Sequence, residues 1–512
     1  MQACPMVKKF LYSASLLASV LICAQESVYE PISFSTPLMH FTGAGKAEVL
    51  VKGGPNGERC NKISTTQVNK HRWEATRYKI LGRKNYQLWG EKIKYSFSVK
   101  GKGVLQVICM NRGDRDSAYA AAEILPLKDI QLSQDWQRVD VAFDCLSPRF
   151  GRNAYITFKM AGEGNYFILA LEKLQSLPPS GSSISVSPKH LITYPGEKAA
   201  VTFSFPKKAK VSVFDGSRQF EQQVSNSLSL DVTGKVSPGK IAPGTRIPGV
   251  GRVSVYDPAT GQHAAVFINC IPKKEYDELD AAAKKIRLDR NLSVLFLGDS
   301  LTDYDRSRNY TDKLAFWINK YNPGKFSFRN AGVGGDHIVS LHNRLTGDPR
   351  TWRKNMYQDL FKKKYDLIFI FLGHNDTRAH YRTDGKVYQP VPSEIQAQYW
   401  RKTIQFLRSK SKAEIILISP SASDFQMCLK AASYNKKAGK NYVIFGEAPR
   451  VKEYFDIQKQ IAKEFDLKII DIYSPLEKMS PKSHLFTIPD GVHLSSSGNN
   501  YLSLHLLRFF SR

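Results

Sequence analysis

The stretch SVLFLGDSLTDYD, residues 293–305, joins an apolar run to an abrupt polar turn. Four apolar residues, Val294–Leu297, precede Gly298, Asp299 and Ser300. A short apolar run that ends in Gly and Asp is typical of a buried strand that gives way to a turn. Two interpretations follow: a core strand simply ends in a polar loop, or Ser300 is a nucleophile held on a rigid support.

Further apolar runs follow this stretch and alternate with helix-like segments. The runs are FSFRNAG (326–332), YDLIFIFLG (365–373), AEIILIS (413–419) and LKIIDIY (467–473), and the segments between them include NYTDKLAFWINKY (309–321), EIQAQYWRKTIQFLRS (394–409) and VKEYFDIQKQIAKEF (451–465). This alternation predicts a parallel sheet covered by helices on both faces. Ligands of such sheets bind at the carboxyl ends of the strands, where Ser300 and the loops 330–336 and 373–376 fall.

Four motifs line up in this part of the chain. They are GDS (298–300), NAGVGGD (330–336), GHND (373–376) and DGVH (490–493), and each of the first three directly follows a predicted strand. In this combination and order, residues 292–512 resemble the GDSL or SGNH hydrolases. The resemblance implies an α/β domain with a flavodoxin-like parallel sheet in three layers, and it implies ester hydrolysis.

The motif residues suit acyl transfer by a serine. A serine hydroxyl is a poor nucleophile without a base, and the imidazole of His493 is suited to accept its proton. Asp490, three residues earlier, can accept a hydrogen bond from the imidazole and fix its tautomer. The resemblance further implies an oxyanion hole made by the backbone N–H groups of Ser300 and Gly335 and by the side-chain amide of Asn375.

Other polar residues follow the third motif. Arg378 and His380 are candidate substrate-binding residues, and solvated loop charges are the alternative. The chain has no GxSxG motif, so the nucleophile elbow of α/β-hydrolases does not hold Ser300. No cysteines have zinc-ligand spacing, and we predict neither a structural metal nor a cofactor.

The N-terminal half has a different pattern, with short alternating segments and no helices between them. KIKYSFSVKG (92–101), GVLQVICMNR (103–112), DWQRVDVAFDC (135–145), NAYITFKMAG (153–162) and NYFILALEKL (165–174) each predict a strand. We predict two all-β sandwich domains, residues 30–178 and the smaller, Ig-like spacer 186–272, joined by the Pro- and Ser-rich LPPSGSSISVSP (177–188). A helical linker, residues 273–291, then leads to the α/β domain.

The first sandwich resembles the jelly-roll carbohydrate-binding modules of secreted glycan-degrading enzymes. Such modules bind sugars by stacking aromatic rings on pyranose faces. The candidate stacking residues are Trp73, Tyr86, Trp89 and Trp136. Because aromatic side chains dominate protein cores, a core position is the alternative for each of them.

The N-terminus predicts export. Lys8 and Lys9 precede an apolar run, residues 10–23, that is short for a membrane span. We expect a signal peptide over residues 1–24 and a secreted or periplasmic mature protein, with lipid attachment at Cys23 as the alternative. No later segment predicts a transmembrane helix. The formal net charge of +28 favours anionic partners, although a solvated cationic surface is the plain alternative.

Three functions agree with these patterns. The first is an exported esterase that removes acetyl or other small acyl groups from a polysaccharide, with an acidic polymer as one candidate. We expect no nucleic acid as a partner. The second is a lipid esterase, a lysophospholipase or lipase, because fold alone does not fix the substrate. The third is a catalytically silent secreted protein that binds glycans.

Overall fold

The computed structural model describes residues 28–29, 45–65, 75–79, 92–111, 123–144, 154–160, 162–177, 184–188, 190–214, 219–233, 250–303, 309–351, 357, 359–486 and 490–511. The predicted signal peptide, residues 1–24, lies outside the described residues. Trp73, Tyr86 and Trp89 lie outside them as well. Of the predicted stacking residues, the structure therefore describes only Trp136.

The first part of the chain is built from antiparallel strands. They are β1 (Val28–Tyr29), β2 (Gly45–Leu50), β3 (Cys60–Thr65), β4 (Ala75–Lys79), β5 (Lys92–Lys102), β6 (Val104–Asn111), β7 (Glu123–Gln131), β8 (Gln137–Asp144), β9 (Ala154–Met160) and β10 (Tyr166–Leu177). One sheet has the order β2-β3-β10-β5-β8 with β1 also paired to β10, and the other has the order β4-β9-β6-β7. Apolar side chains of both sheets meet in one core, where the rings of Phe97 and Phe158 lie 5.3 Å apart.

A second β-rich part follows. Its strands are β11 (Ser185–Ser187), β12 (Leu191–Thr193), β13 (Lys198–Ser204), β14 (Ala209–Phe214), β15 (Gln219–Val224), β16 (Ser227–Thr233), β17 (Val250–Tyr256) and β18 (His263–Cys270). They form a three-stranded sheet, β11-β13-β16, and a five-stranded sheet, β12-β18-β17-β14-β15. Phe203 and Val266, one from each sheet, belong to the same core. The Tyr256 hydroxyl donates to the Ala142 carbonyl at 2.8 Å and so links this part to the first.

The C-terminal part alternates strands with helices. Its elements are α1 (Lys273–Ala283), β19 (Leu292–Gly298), α2 (Tyr310–Tyr321), β20 (Phe326–Gly332), α3 (Ile338–Leu345), β21 (Leu367–Phe371), α4 (His374–Thr377), β22 (Ala379–Tyr381), β23 (Val387–Tyr388), α5 (Ser393–Lys410), β24 (Glu414–Ile418), α6 (Phe425–Lys437), β25 (Tyr442–Ile444), α7 (Ala448–Glu464), β26 (Lys468–Ile470), α8 (Tyr473–Lys478) and α9 (Ser496–Phe510). Single 3₁₀ turns lie at Leu360–Lys362 and Ser483–Leu485. Strands β22, β23 and β25 form a small antiparallel sheet of their own.

The main sheet is parallel and is covered on both faces. Its strand order is β20-β19-β21-β24-β26. Side chains alternate between the faces of a strand, so Phe296 of β19 joins the core that contains Trp317 of α2, whereas Leu297 joins the core that contains Trp400 of α5. The predicted parallel sheet with helices on both faces is confirmed, whereas the predicted bounds of the two sandwich domains stay a prediction.

The strand order also creates a crevice. The chain leaves β19 toward the edge strand β20 and returns to β21 on the other side of β19. The connections therefore diverge at the carboxyl ends of β19 and β21, and such a switch point is where open α/β sheets bind ligands. Ser300 follows β19 and Asn375 follows β21, so both lie at this crevice.

Candidate active site

Ser300 lies in a tight turn that directly follows β19. The Asp299 carboxylate accepts the backbone N–H of Leu301 at 2.8 Å and closes the turn. Glycine is required at position 298, because a Cβ atom there would lie 2.7 Å from the Phe371 carbonyl oxygen of the neighbouring strand. The turn is consequently held close to the sheet, and it leaves Ser300 partly exposed at the strand end.

Ser300 is hydrogen-bonded to a histidine from the distant C-terminal segment. Its Oγ lies 2.8 Å from His493 Nε2, and His493 Nδ1 lies 2.6 Å from Asp490 Oδ2. Asp490 and His493 lie between the 3₁₀ turn Ser483–Leu485 and helix α9. The structure thus brings the three predicted catalytic residues into one continuous hydrogen-bonded series.

The Asp490 carboxylate is held in its charged form. Its Oδ1 accepts the backbone N–H groups of Val492 and His493, both at 2.9 Å. Burial acts to raise the pKa of Asp490, but the neighbouring His493 and these hydrogen bonds bring it below the ordinary value of the group. A charged acceptor at Nδ1 favours the tautomer whose Nε2 can accept a proton from Ser300.

A glycine-rich loop after β20 lies beside the serine. Asp303 Oδ2 accepts the Gly334 N–H at 2.7 Å, and a Cβ atom on Gly334 would lie 3.7 Å from Ser300 Cβ. Gly335 has a φ of +89°, which favours glycine, and the space beside its Cα is open for 4 Å. Among the described residues, no protein acceptor takes the backbone N–H of Ser300 or of Gly335. Two donors are therefore available to a substrate oxygen.

Asn375, the third predicted oxyanion donor, is buried in the one-turn helix α4. Its Nδ2 donates to the Asp336 carbonyl at 3.0 Å and to Asp299 Oδ2 at 3.3 Å, and its Oδ1 accepts from Arg378 Nη1 at 3.3 Å. The amide orientation is thus fixed by three partners. To donate to a substrate oxygen, the amide would give up the longer of its two donated bonds, the one to Asp299.

An ion pair anchors the loop that carries Gly335. Arg344 on α3 donates from Nε to Asp336 Oδ2 at 3.1 Å and from Nη2 to Asp336 Oδ1 at 2.7 Å. Both side chains are almost completely buried. Bidentate geometry is the strongest arrangement of an Arg–carboxylate pair, so the loop is tied firmly to α3. The sequence alone had indicated no role for this pair.

His374 is a second histidine close to the catalytic series. It is buried, its Nε2 lies 2.9 Å from Ser421 Oγ, and the charges of His493 and Asp490 act on it. Burial, and then the neighbouring His493, lower the pKa of His374 to about 4, so it is neutral at pH 7. The signal in the sequence is its place in GHND directly before Asn375, but only the fold reveals its partner Ser421.

The other predicted binding residues lie in two places. Arg378 follows α4 next to Asn375, and the His380 ring stacks on Tyr388 at 4.8 Å. Trp136 lies in the N-terminal β-rich part, partly buried, with Lys100 Nζ 5.0 Å from its ring centre. The structure therefore brings Arg378 to the serine site, while the stacking role of Trp136 stays a prediction.

Two features are absent from the described part of the chain. There, no cluster of three or more His, Cys, Asp or Glu side chains could hold a metal ion. Within the same residues, no helix has both the length and the apolar character that a membrane span requires.

Comparison with known proteins places the α/β part in a family. Residues 296–501 match the model of the GDSL-like lipase/acylhydrolase family. The isoamyl acetate-hydrolyzing esterase 1 homologs of Mus musculus and Homo sapiens are each 27% identical to this chain over 201 residues, which are 36% of this chain and 75% of theirs. A solved lipase/acylhydrolase from Enterococcus faecalis is 19% identical, with a TM-score of 0.32 over 43% of this chain and 95% of its own.

The matched region contains the complete serine site. Ser300, Gly335, Asn375, Asp490 and His493 all fall within residues 296–501. The region starts inside β19 and ends inside α9, so it spans the parallel sheet and its crevice. Residues 296–501 of this chain are a domain of the GDSL-like lipase/acylhydrolase family.

Proposed function

We propose that this protein is a serine esterase that removes acetyl or another small acyl group from a polysaccharide. The observation that carries the proposal is the hydrogen-bonded series from Ser300 Oγ through His493 to Asp490, at 2.8 and 2.6 Å. A hydroxyl, a base and an orienting carboxylate at these distances are what nucleophilic acyl transfer requires.

The reaction has two halves, the formation of an acyl-enzyme and its hydrolysis. His493 Nε2 accepts the Ser300 proton as Oγ attacks the ester carbonyl, and the oxyanion is held by the N–H groups of Ser300 and Gly335 and by Asn375 Nδ2. The tetrahedral intermediate collapses, and the sugar hydroxyl leaves with the proton from His493. Water then attacks the acyl-enzyme carbonyl while His493 Nε2 takes one of its protons. Collapse of the second tetrahedral intermediate releases the carboxylic acid, and His493 returns the proton to Ser300 Oγ.

The nature of the acyl group rests on the relatives. These relatives are named isoamyl acetate-hydrolyzing esterase 1 homologs, and isoamyl acetate is an acetate ester. We extend that acyl preference to this chain. The same name favours a second candidate function, the hydrolysis of acetate esters of small alcohols. The two candidates share the acyl group and the mechanism, and they differ only in the alcohol.

The identity of the alcohol is inferred from the parts of the chain that precede the α/β domain. We propose that the β-rich part consists of two sandwich domains, residues 30–178 and 186–272, and that the first binds glycan. We further propose that a signal peptide, residues 1–24, directs export, which would bring the enzyme to extracellular or periplasmic polysaccharides. The net charge of +28 supports a polymer with negative charges.

Acetate release tests the proposal directly. Residues 25–512 would be incubated with 4-nitrophenyl acetate, isoamyl acetate, a panel of acetylated polysaccharides and a lysophospholipid. We expect acetate from at least one polysaccharide, and we expect Ser300→Ala to lose at least about 10⁴-fold in kcat. Ser409→Ala, which changes an exposed serine on α5, is the matched control. Acetate from isoamyl acetate alone would favour the second candidate, and fatty acid from the lipid alone would favour a lipid esterase.

A further inference from the structure

Arg378 places a positive charge beside the oxyanion hole without a carboxylate partner. The side chain is partly buried, and its Nη1 donates to Asn375 Oδ1 at 3.3 Å. Among the described residues, its buried Nε has no hydrogen-bond acceptor, and no carboxylate lies within ion-pair distance of the guanidinium. The edge of the guanidinium formed by Nε and Nη2 is therefore not engaged by the described part of the protein.

The contrast with Arg344 shows that this arrangement is unusual within the same site. Arg344 is also buried near the glycine loop, but Asp336 engages it through two hydrogen bonds. Removing a cation from water is costly unless an anion compensates for the lost hydration. An arginine that is left without such an anion is positioned to receive one from outside the chain.

Asp376 does not fill this role. Its Oδ1 accepts the backbone N–H of Ile338 at 2.8 Å. Burial raises the pKa of Asp376 well above its ordinary value, and the nearby Asp299 adds to this rise more than the charge of Arg378 opposes it, so the carboxyl group favours its neutral form. A neutral carboxyl gives little compensation to the charge of Arg378.

The surface next to Arg378 offers an aromatic ring and a second basic side chain. His380 and Tyr388 lie opposite each other in β22 and β23, and their rings stack at 4.8 Å. Arg378 precedes His380 by two residues in extended backbone, so the two side chains share one face of the small sheet. Tyr388 is 49% exposed, and His380 Nε2 has no acceptor among the described residues.

Two acidic residues near this small sheet are occupied elsewhere: Asp384 pairs with Arg382, and Glu447 is held by residues of two other segments. It pairs with Arg450 and accepts the hydroxyl of Tyr381, and Tyr381 belongs to the opposite face of β22. The face that carries Arg378, His380 and Tyr388 is consequently cationic and aromatic.

We propose that Arg378, with His380 and Tyr388, forms a subsite that binds a carboxylate of a uronic acid residue in the polysaccharide substrate. This inference rests on the proposed function and adds its substrate class. The Arg378 side chain is only partly buried, and the planar N–H groups of a guanidinium match the two oxygens of a carboxylate. An exposed tyrosine ring can pack on the apolar face of a pyranose.

The position of Arg378 fixes which part of the substrate carries the charge. Arg378 is one hydrogen bond away from Asn375, which holds the ester carbonyl oxygen in the proposed mechanism. An acetyl group has no second carboxyl to offer. The carboxylate therefore belongs to the alcohol side, on the acetylated sugar or on its neighbour in the chain.

A pair of polymers that differ only in charge tests the inference. Acetylated polygalacturonan and its methyl ester have the same backbone, but the methyl ester lacks the carboxylate. We expect the wild-type enzyme to have at least about a tenfold higher kcat/KM on the free acid, because hydrogen bonds to charged groups are stronger than those between neutral groups. Arg378→Gln should reduce the ratio of the two kcat/KM values by about 10–100-fold.

Matched variants distinguish the planar hydrogen-bonding geometry of the Arg378 guanidinium from its charge. Arg378→Lys keeps the charge but loses the planar fork, so we expect a ratio between those of wild type and Arg378→Gln. Arg382→Gln changes an exposed arginine four residues away and should keep the wild-type ratio. A sulfated, acetylated polymer tells the two anions apart, and a preference for sulfate over carboxylate would overturn the inference.

Other outcomes also decide the question. An unchanged ratio in Arg378→Gln, with both rates lowered equally, would overturn the inference and assign Arg378 only to the orientation of Asn375. Hydrolysis of 4-nitrophenyl acetate without any action on the free-acid polymer would overturn it as well. If the wild type hydrolyses no ester at all, the proposed function fails, which is a different result.

Discussion

The two sides of Ser300 differ in how their polar groups are paired. On one side, His493 and Asp490 form a closed network in which both imidazole nitrogens and both carboxylate oxygens have partners. On the other side, Arg378 Nε and His380 Nε2 have no acceptor among the described residues. The closed side supplies chemistry that every ester needs. The open side has donors without acceptors among the described residues, and a particular substrate can supply those acceptors.

The strongest way to break the closed side is Asp490→Asn. The amide cannot act as the charged acceptor at His493 Nδ1, so the wrong tautomer is favoured at Nε2. We expect kcat for 4-nitrophenyl acetate to fall by about 10³–10⁴-fold. Asp384→Asn, at an exposed turn, is the control and should keep the wild-type rate. A loss of less than tenfold would show that Asp490 does not orient the base.

The two arginines, Arg344 and Arg378, should differ in how much they stabilise the fold. Arg344→Gln leaves the buried Asp336 carboxylate without its bidentate partner, and we expect the free energy of unfolding to fall by about 3–5 kcal/mol. Arg378→Gln removes no ion pair, so its cost should be about 1 kcal/mol or less. Urea unfolding, followed by tryptophan fluorescence, measures both. Equal losses would mean that Arg378 stabilises the fold as Arg344 does.

Asn375 belongs to both sides, and Asn375→Ala tests whether its side-chain amide donates a hydrogen bond to the oxyanion. Removal of one oxyanion donor lowers kcat by about 10²–10³-fold in comparable sites. We expect that loss with little change in KM, because the bond to the oxygen strengthens only in the transition state. Since Asn375 Nδ2 also bonds Asp336 and Asp299, the unfolding midpoint must be measured in parallel. A large rise in KM with constant kcat would contradict the assignment.

The position of the closed side could be predicted from the sequence. Glycine and polar residues after three apolar runs mark strand ends, and parallel strands bring those ends to one edge of the sheet. The contact between Ser300 and His493, which are 193 residues apart, followed from the motifs rather than from any local pattern. The presence of the strands and their burial on both faces followed from near-continuous apolar runs that alternate with helix-like segments. The strand lengths did not follow, since the run 467–473 contains a strand of only three residues, Lys468–Ile470.

The open side could not be predicted. Strands β22, β23 and β25 have two or three residues each, too few to show a periodicity, and β25 lies about 60 residues after β22. The stack of His380 on Tyr388 depends on that pairing. The absence of a carboxylate partner for Arg378 among the described residues likewise depends on all the segments that surround it, and not on the segment that contains it. The buried position of His374 has the same origin, because its partner Ser421 lies beside it only in the folded chain.

His374, next to the closed side, should make the free energy of unfolding depend on pH. Its pKa is lowered to about 4 in the folded protein, against about 6.5 for an unperturbed histidine. The unfolded chain therefore binds more protons, and the stability contributed by the neutral ring is complete above pH 6.5 and is lost as the pH falls toward 4. This single group should lower the free energy of unfolding by about 2 kcal/mol between pH 7 and pH 5. His374→Gln, which can still bond Ser421, should lose that part of the pH dependence, whereas the exposed His484→Gln should keep it. Urea unfolding of the three proteins at both pH values measures the difference, and an identical pH dependence in all three would show that His374 is charged at pH 5 without cost.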